Sequence, residues 1–257
     1  MATTDATRTG LVTDEMRAQY ETEGYFVLEK ALSDEQLELL RGGAQYSIDK
    51  LDASFDEAGV DRIGINARGK RYFSSMIYQD RPELRRFLFS DLMAQICRAT
   101  LGEDAYLFWE QYVIKGTDPD SSFAWHQDSG YVHEDHEPYL TCWIALDDVT
   151  EENGAVYLLP YSRSGIKSYV KHIPDPTLGD RIAYFGSDPG VPMTGSAGTI
   201  VVFSSVVLHR SGPNLTDRLR RAYLAQYSGE VIKTKDGTGP WGSFEQFLAG
   251  SQIVAKT

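Results

Sequence analysis

An imidazole and a carboxylate lie two residues apart in Trp125-His126-Gln127-Asp128, inside a run (122–128) that reads as a strand. Side chains at i and i+2 of a strand emerge on one face. His126 and Asp128 can therefore converge on one ion while Gln127 faces away. His209, which ends the apolar run 198–209, is the best third donor. Two histidines and one carboxylate, with three coordination positions left open, form the donor set of non-haem Fe(II) oxygenases. His-x-Asp alone is weak evidence, because a strand histidine is more often a hydrogen-bonded core residue. The residues after His209 strengthen it. Arg220 opens a further strand-like run, 220–229. An arginine facing a metal site needs an anion, since an unpaired charge is costly to bury, and its fork matches a carboxylate. A dicarboxylate could chelate the metal at one end and pair with Arg220 at the other. Arg218 and Arg221 read as solvated. His133 and His136 follow in an acidic segment that reads as a surface loop, with Pro138 and a short span arguing against a helix.

The elements that must position these residues divide the chain in two. Thr13 can cap a short helix ending near Gly24, and GYFVLEK (24–30) alternates like a strand. Ser33-Asp34-Glu35-Gln36 is a capping-box pattern that starts a helix running to about Leu51, with a bend available at Gly42-Gly43. Pro82 sits at a helix start, and Leu84, Phe87, Leu88, Leu92, Ile96 and Leu101 follow at helical spacing. Strand-like runs then dominate: 105–115, 122–128, 139–149, 154–160, 198–209 and 220–229, separated by turn signals such as Glu152-Asn153-Gly154 and Gly212-Pro213-Asn214. Many short strands with turns indicate a sandwich or barrel. The expectation is one domain over 1–257, mainly β with N-terminal helices: helical support mainly in 12–104, and a jelly-roll core mainly in 105–230.

Four pieces together resemble the phytanoyl-CoA dioxygenase (PhyH-like) family of Fe(II)/2-oxoglutarate oxygenases. They are TDEMRAQYETEGYFVLEKALSDEQLELLR (13–41), WHQDSGY (125–131), WIALDDVTEENGAVYLLPYSRSG (143–165), and LHRSGPN with RLRRA (208–222), in order and at family-like spacing. The resemblance implies a double-stranded β-helix, the cupin-like jelly roll. It implies Fe(II) held by His126, Asp128 and His209 as the catalytic metal ligands, with 2-oxoglutarate and O2 as cosubstrates. Arg220 corresponds to the arginine on the distal carboxylate of 2-oxoglutarate, and Ser211 to a serine that supports it. Trp143 matches an aromatic lining the cosubstrate pocket, although a core tryptophan fits nearly as well; Thr141 shares its face. Phe123 stands where several relatives carry a glutamine, so that contact is expected of Gln111 or is absent. Pro160-Tyr161-Ser162-Arg163 replaces the family's Pro-Gly-Ser-His turn, an architectural departure. Asp128 itself disfavours halogenation, since halogenating relatives carry a small residue there. The implied reaction is hydroxylation of a small-molecule substrate with release of succinate and CO2. The cluster Arg68, Lys70, Arg71 reads as a solvated charged loop or, less often, as a holder of an anionic substrate group.

Composition sets the outer bounds. The 257 residues suffice for one sizeable core, and a net charge of −12 disfavours nucleic-acid partners. Cys97 and Cys142 imply no disulfide framework, and a reduced, cytoplasmic setting fits them. The opening MATTDATRTGLVTDEM lacks the basic and apolar regions of a signal peptide, and no apolar run is long enough for a membrane partner. Two other readings remain: a cupin-like metal isomerase or O2-only oxygenase, against which Arg220 and Ser211 argue, and a non-catalytic binding module on the same fold.

Overall fold

A computed structural model describes residues 10–174 and 181–255; the first nine residues of the opening segment lie outside the described residues. Thr13 caps α1 (Asp14–Glu23) by accepting from the Met16 amide, and Gly24, at φ 83°, ends it in the left-handed region. The chain turns directly into β1 (Tyr25–Leu28). The Ser33/Gln36 capping box is formed in both directions and starts α2 (Asp34–Ala58). This helix runs past the expected end at Leu51 and is unbroken at Gly42-Gly43. Gly43 serves a close approach: a Cβ there would lie 2.1 Å from the Tyr112 hydroxyl, so the missing side chain lets the helix settle on the sheet. Next come β2 (Arg71–Ser75), a short 3₁₀ turn at Pro82, and α3 (Asp91–Thr100), capped by Ser90.

The β core follows: β3 (Ala105–Lys115), β4 (Phe123–His126), β5 (Leu140–Ala145), β6 (Val156–Leu159), β7 (Val191–Met193), β8 (Ile200–Ser204), β9 (Leu208–Ser211), β10 (Arg220–Ser228) and β11 (Glu245–Ala249). The larger sheet runs β1-β8-β5-β10-β3-β2, with β11 also on β3; the smaller runs β7-β6-β9-β4. The large sheet thus recruits β1 and β2 from upstream of residue 105 and β11 from beyond 230. The alternation along β10 shows how its two faces divide. Tyr223, Ala225 and Tyr227 pack with Leu40, Phe55, Met93 and Ile96 in a helix-covered core. Ala222 and Leu224 face the other way, into a core with Trp143, Val156 and Phe203. This is a jelly roll of mostly antiparallel strands braced by helices on one outer face.

Two expected strands differ from the structure. The apolar run 198–209 is two strands, not one: a turn at Ser205–Val207 carries the chain from β8 in the large sheet to β9 in the small one. Ser204-Ser205 marks this corner, but the apolar residues on both sides of it are buried and read as one strand. The run 122–128 also ends early, at His126. Asp128 begins a 3₁₀ turn (Asp128–Tyr131), so its position comes from that turn rather than from strand alternation. Among the described residues, no helix is long and apolar enough to cross a membrane.

Candidate functional site

His126 ends β4 and pairs directly with His209 in the adjacent β9, which sets their ring centroids 4.1 Å apart. Each ring is oriented by its own strand. His126 Nδ1 lies 2.7 Å from the Ala124 carbonyl and His209 Nδ1 lies 3.1 Å from that of Val207. A carbonyl only accepts, so each Nδ1 carries the hydrogen and each Nε2 carries the lone pair, the tautomer a metal needs. Asp128 Oδ1 lies 3.4 Å from His209 Nε2. One ligand atom from each of His126, Asp128 and His209 falls within 4.8 Å of the others, the spacing of a three-donor metal group.

The second oxygen of Asp128 is tied down. Oδ2 accepts from the Thr141 hydroxyl at 2.6 Å and from the Gln226 amide at 3.0 Å, and Gln226 also donates to Thr141 Oγ1 at 3.0 Å. Burial alone would push the Asp128 carboxyl up. Positive charge on the His209 and His126 side, together with the Thr141 bond, outweighs it and holds the group below its ordinary value, as an anion. Thr141, expected toward the cosubstrate, has its hydroxyl committed to Asp128.

A cavity of about 430 Å³ opens beside this group, and His126, Asp128, Gln111, Trp143, His209, Ser211 and Arg220 all reach its wall. Arg220 is 1% exposed. Its Nη2 donates to the Gly154 carbonyl at 3.1 Å, and its guanidinium carbon lies 5.5 Å from the Trp143 ring centroid. Among the described residues, Nε and Nη1 have no hydrogen-bond partner. Burial pushes the guanidinium down to about 10 from its ordinary 12.5, with Asp147 partly opposing. A buried guanidinium with two unsatisfied N–H-bearing nitrogens facing a cavity fits an incoming carboxylate. Arg221 points the other way and is paired with Asp147 through Nε at 2.9 Å.

Several residues of the site were not singled out in the sequence. Lys115, the cross-strand neighbour of Arg220, is fully buried and donates to Ser211 Oγ at 2.8 Å and to the Gly212 carbonyl at 2.6 Å. Ser211 therefore sits between a buried ammonium and the cavity. Strand alternation offered a signal for both Lys115 and Gln226: positions 109, 111, 113 and 115 share a face, as do 220, 222, 224 and 226. His172 gave no signal. Its Nε2 accepts from the Gln127 amide at 2.9 Å, burial holds its pKa below the ordinary value, and its ring occupies the space a Cβ on Gly130 would need. Gln127 does face away, binding the Ser168 and Val206 carbonyls.

The loop histidines stand apart from the three-donor group. His133 is exposed and lies 3.2 Å from Arg181, while His136 holds the Ser129 hydroxyl at 3.1 Å. Arg68 is paired with Asp52, Asp56 and Asp61, a solvated charged face. Arg71 turns inward, donating to the Ile65 carbonyl at 2.7 Å and lying over the Phe123 ring.

A jelly roll that gathers two histidines and a carboxylate at the mouth of its cavity defines the class of non-haem iron oxygenases. Comparison with known proteins gives the family. Residues 20–222 match the phytanoyl-CoA dioxygenase (PhyH) family. The chain belongs to it, and with it to the Fe(II)- and 2-oxoglutarate-dependent oxygenases, enzymes that take O2 as co-substrate. The ectoine dioxygenase of Bordetella bronchiseptica is 27% identical over 77% of this chain and 69% of its own length. Among solved structures, apo EctD from S. alaskensis superposes with a TM-score of 0.69 at 21% identity, covering 98% of this chain and 89% of its own. EvdO2 from Micromonospora carbonacea var. aurantiaca, solved with 2-oxoglutarate, gives 0.66 at 22% identity, covering 88% and 94%. These two likenesses establish the jelly-roll fold.

Proposed function

We propose that this chain binds Fe(II) through His126, Asp128 and His209, binds 2-oxoglutarate with its distal carboxylate on Arg220, and hydroxylates a small-molecule substrate with release of succinate and CO2. The observation that carries this reading is Arg220: a fully buried cation, open at Nε and Nη1, in the same cavity as the three-donor group. An isomerase or O2-only oxygenase has no use for such an anchor.

Bound iron with its cosubstrate would supply the O2 activation that the side chains themselves lack. The chain's own residues do the rest. The Ala124 and Val207 carbonyls fix both imidazole tautomers. Thr141 and Gln226 hold Asp128 Oδ2, which leaves Oδ1 as the ligand atom. Arg220 and Ser211, the latter oriented by Lys115, receive the distal carboxylate. Trp143, Val113 and Leu224 line the cavity with apolar surface and exclude water. Anaerobic addition of Fe(II) and 2-oxoglutarate should give a weak visible charge-transfer band, and aerobic turnover should release succinate. Iron bound by elemental analysis without the band would refute chelation.

A further inference from the structure

The charges of the cavity are not spread evenly. Arg220 and Arg71 are both cross-strand partners of Lys115, so three cations gather at one end of the large sheet. Gln226 lies six residues further along β10, on the order of 20 Å at ~3.3 Å per residue. Gln226 pairs with Trp109 and bonds Asp128. There the wall changes character. A β-bulge interrupts the β10–β3 register: Gln226 pairs with Trp109, Tyr227 pairs with Leu107, and Phe108 is the extra residue. The bulge turns two successive aromatic side chains, Phe108 and Trp109, into the cavity where an even strand would present one. Trp241 closes over them, its ring 5.0 Å from that of Phe108 and 5.6 Å from that of Trp109. It is pinned by its amide on the Ile232 carbonyl and by the Ser243 amide on the Phe108 carbonyl. Tyr139, 4.8 Å from Phe108, and Val132 complete the wall. Among the described residues, no Lys, Arg, Asp or Glu other than Asp128 lines this end. Arg210 also reaches the cavity, but it lies over the Tyr157 ring at 3.9 Å and donates to the Pro189 carbonyl.

We infer that the substrate presents an uncharged, flat ring system to the iron, stacked against Trp109 and Trp241. The inference rests on the iron and 2-oxoglutarate reading above. At the aromatic end an ionised group would find no protein counter-charge but Asp128, which the iron would occupy, and burying it so is unfavourable. An anion would be drawn toward Lys115 and Arg220, at the opposite end and at the cosubstrate's anchor. A cation would find aromatic faces, but it would share the site with Fe(II), Arg220 and Lys115, an excess of positive charge even with Asp128 and the cosubstrate present. A net charge of −12 further disfavours polyanions such as coenzyme A thioesters. Flat rings meet none of these costs and gain offset stacking on indoles.

The test uses a neutral set of two-, three- and four-ring aromatics (a flavanone and an anthraquinone among them) and a charged set of palmitoyl-coenzyme A, an aryl phosphate, an L-amino acid and choline. Binding is read by tryptophan quenching in the metal-free chain and by calorimetry with Fe(II) and 2-oxoglutarate under argon. Neutral rings should quench and should bind more tightly than every charged member. Trp241→Leu should weaken that binding roughly twofold to twelvefold, the range a lost aromatic pair is worth. Trp241→Phe should restore most of it, and 2-oxoglutarate affinity should hold in both variants. Tighter binding of any charged probe, absence of binding across the neutral set, or a Trp241→Leu variant that binds rings like the parent would each overturn the inference. Ring binding without the charge-transfer band would sink the iron reading and leave the ring slot standing. The band without ring binding would do the reverse.

Discussion

Replacing Arg220 by methionine should move stability in opposite directions with and without cosubstrate. Burial lowers the guanidinium from 12.5 to about 10. For a base, a lowered folded-state pKa is a penalty on the charged form. That penalty is fully present below about 10 and is relieved only as pH rises from there toward 12.5. At neutral pH it is roughly 3 kcal/mol at ~1.36 kcal/mol per unit. Methionine removes the penalty and forfeits the bond to the Gly154 carbonyl, worth ~1 kcal/mol. The chain without cosubstrate should therefore gain on the order of 1–2 kcal/mol, a rise in Tm of a few degrees at ~2–4 °C per kcal/mol. With iron present, loss of charge-assisted bonds worth ~1.5–3 kcal/mol should raise the Kd for 2-oxoglutarate about tenfold to a hundredfold. Thermal unfolding with and without cosubstrate, together with titration of the visible band, measures both. Arg221→Met is the control: it breaks the pair with Asp147 and should leave 2-oxoglutarate affinity alone. A lower Tm for Arg220→Met without cosubstrate, together with an unchanged Kd, would refute the reasoning.

Three further outcomes are expected. Thr141→Val and Gln226→Leu should each weaken iron binding by ~10-fold or more while the fold persists, because Asp128 Oδ2 loses a donor that aims it; equilibrium metal titration decides, and full affinity in the double variant would show that the clamp is idle. His126→Ala and Asp128→Ala should lose iron and succinate release, whereas His133→Ala and His136→Ala should keep iron by elemental analysis; the reverse pattern would move the site into the loop. Burial pushes the Glu110 carboxyl up to about 7, so the folded chain holds a proton that the unfolded chain releases near pH 4.5. Stability should fall by roughly 3 kcal/mol between pH 4.5 and 7 through this group, and urea unfolding of Glu110→Gln should show that stretch flattened; an identical pH profile would remove Glu110 from the account.

The sequence made some parts of this legible and concealed others, for physical reasons. Caps are local, so Thr13 and Ser33 announced themselves and both caps form. Arg220 was legible because a charge in an apolar strand demands a reason. The corner between β8 and β9 was marked only by Ser204-Ser205, and the buried apolar residues on either side masked that mark. Lys115 looks like the polar end of a strand until its pairing with Arg220 is known. Alternation puts Gln226 on the face of Arg220, but its partners needed register, because Thr141 and Asp128 reach it from two other segments of the chain. The bulge at Phe108 has no mark in the residue types at all.

The hydrogen bond from imidazole Nδ1 to the backbone two residues earlier occurs at His126 and His209, and again at His136 and His172, which among the described residues belong to no three-donor group. It is therefore a property of three consecutive residues and not of the metal centre. Many metal sites depend on a distant carboxylate to choose the ring nitrogen, so changes elsewhere in the molecule can spoil them. Here each histidine brings its tautomer with it. Drift in the surrounding layers can reshape the substrate end of the cavity without un-aiming the imidazoles, and a segment as short as Ala124-Trp125-His126, transplanted onto an edge of another sheet, would arrive with its Nε2 already set to bind.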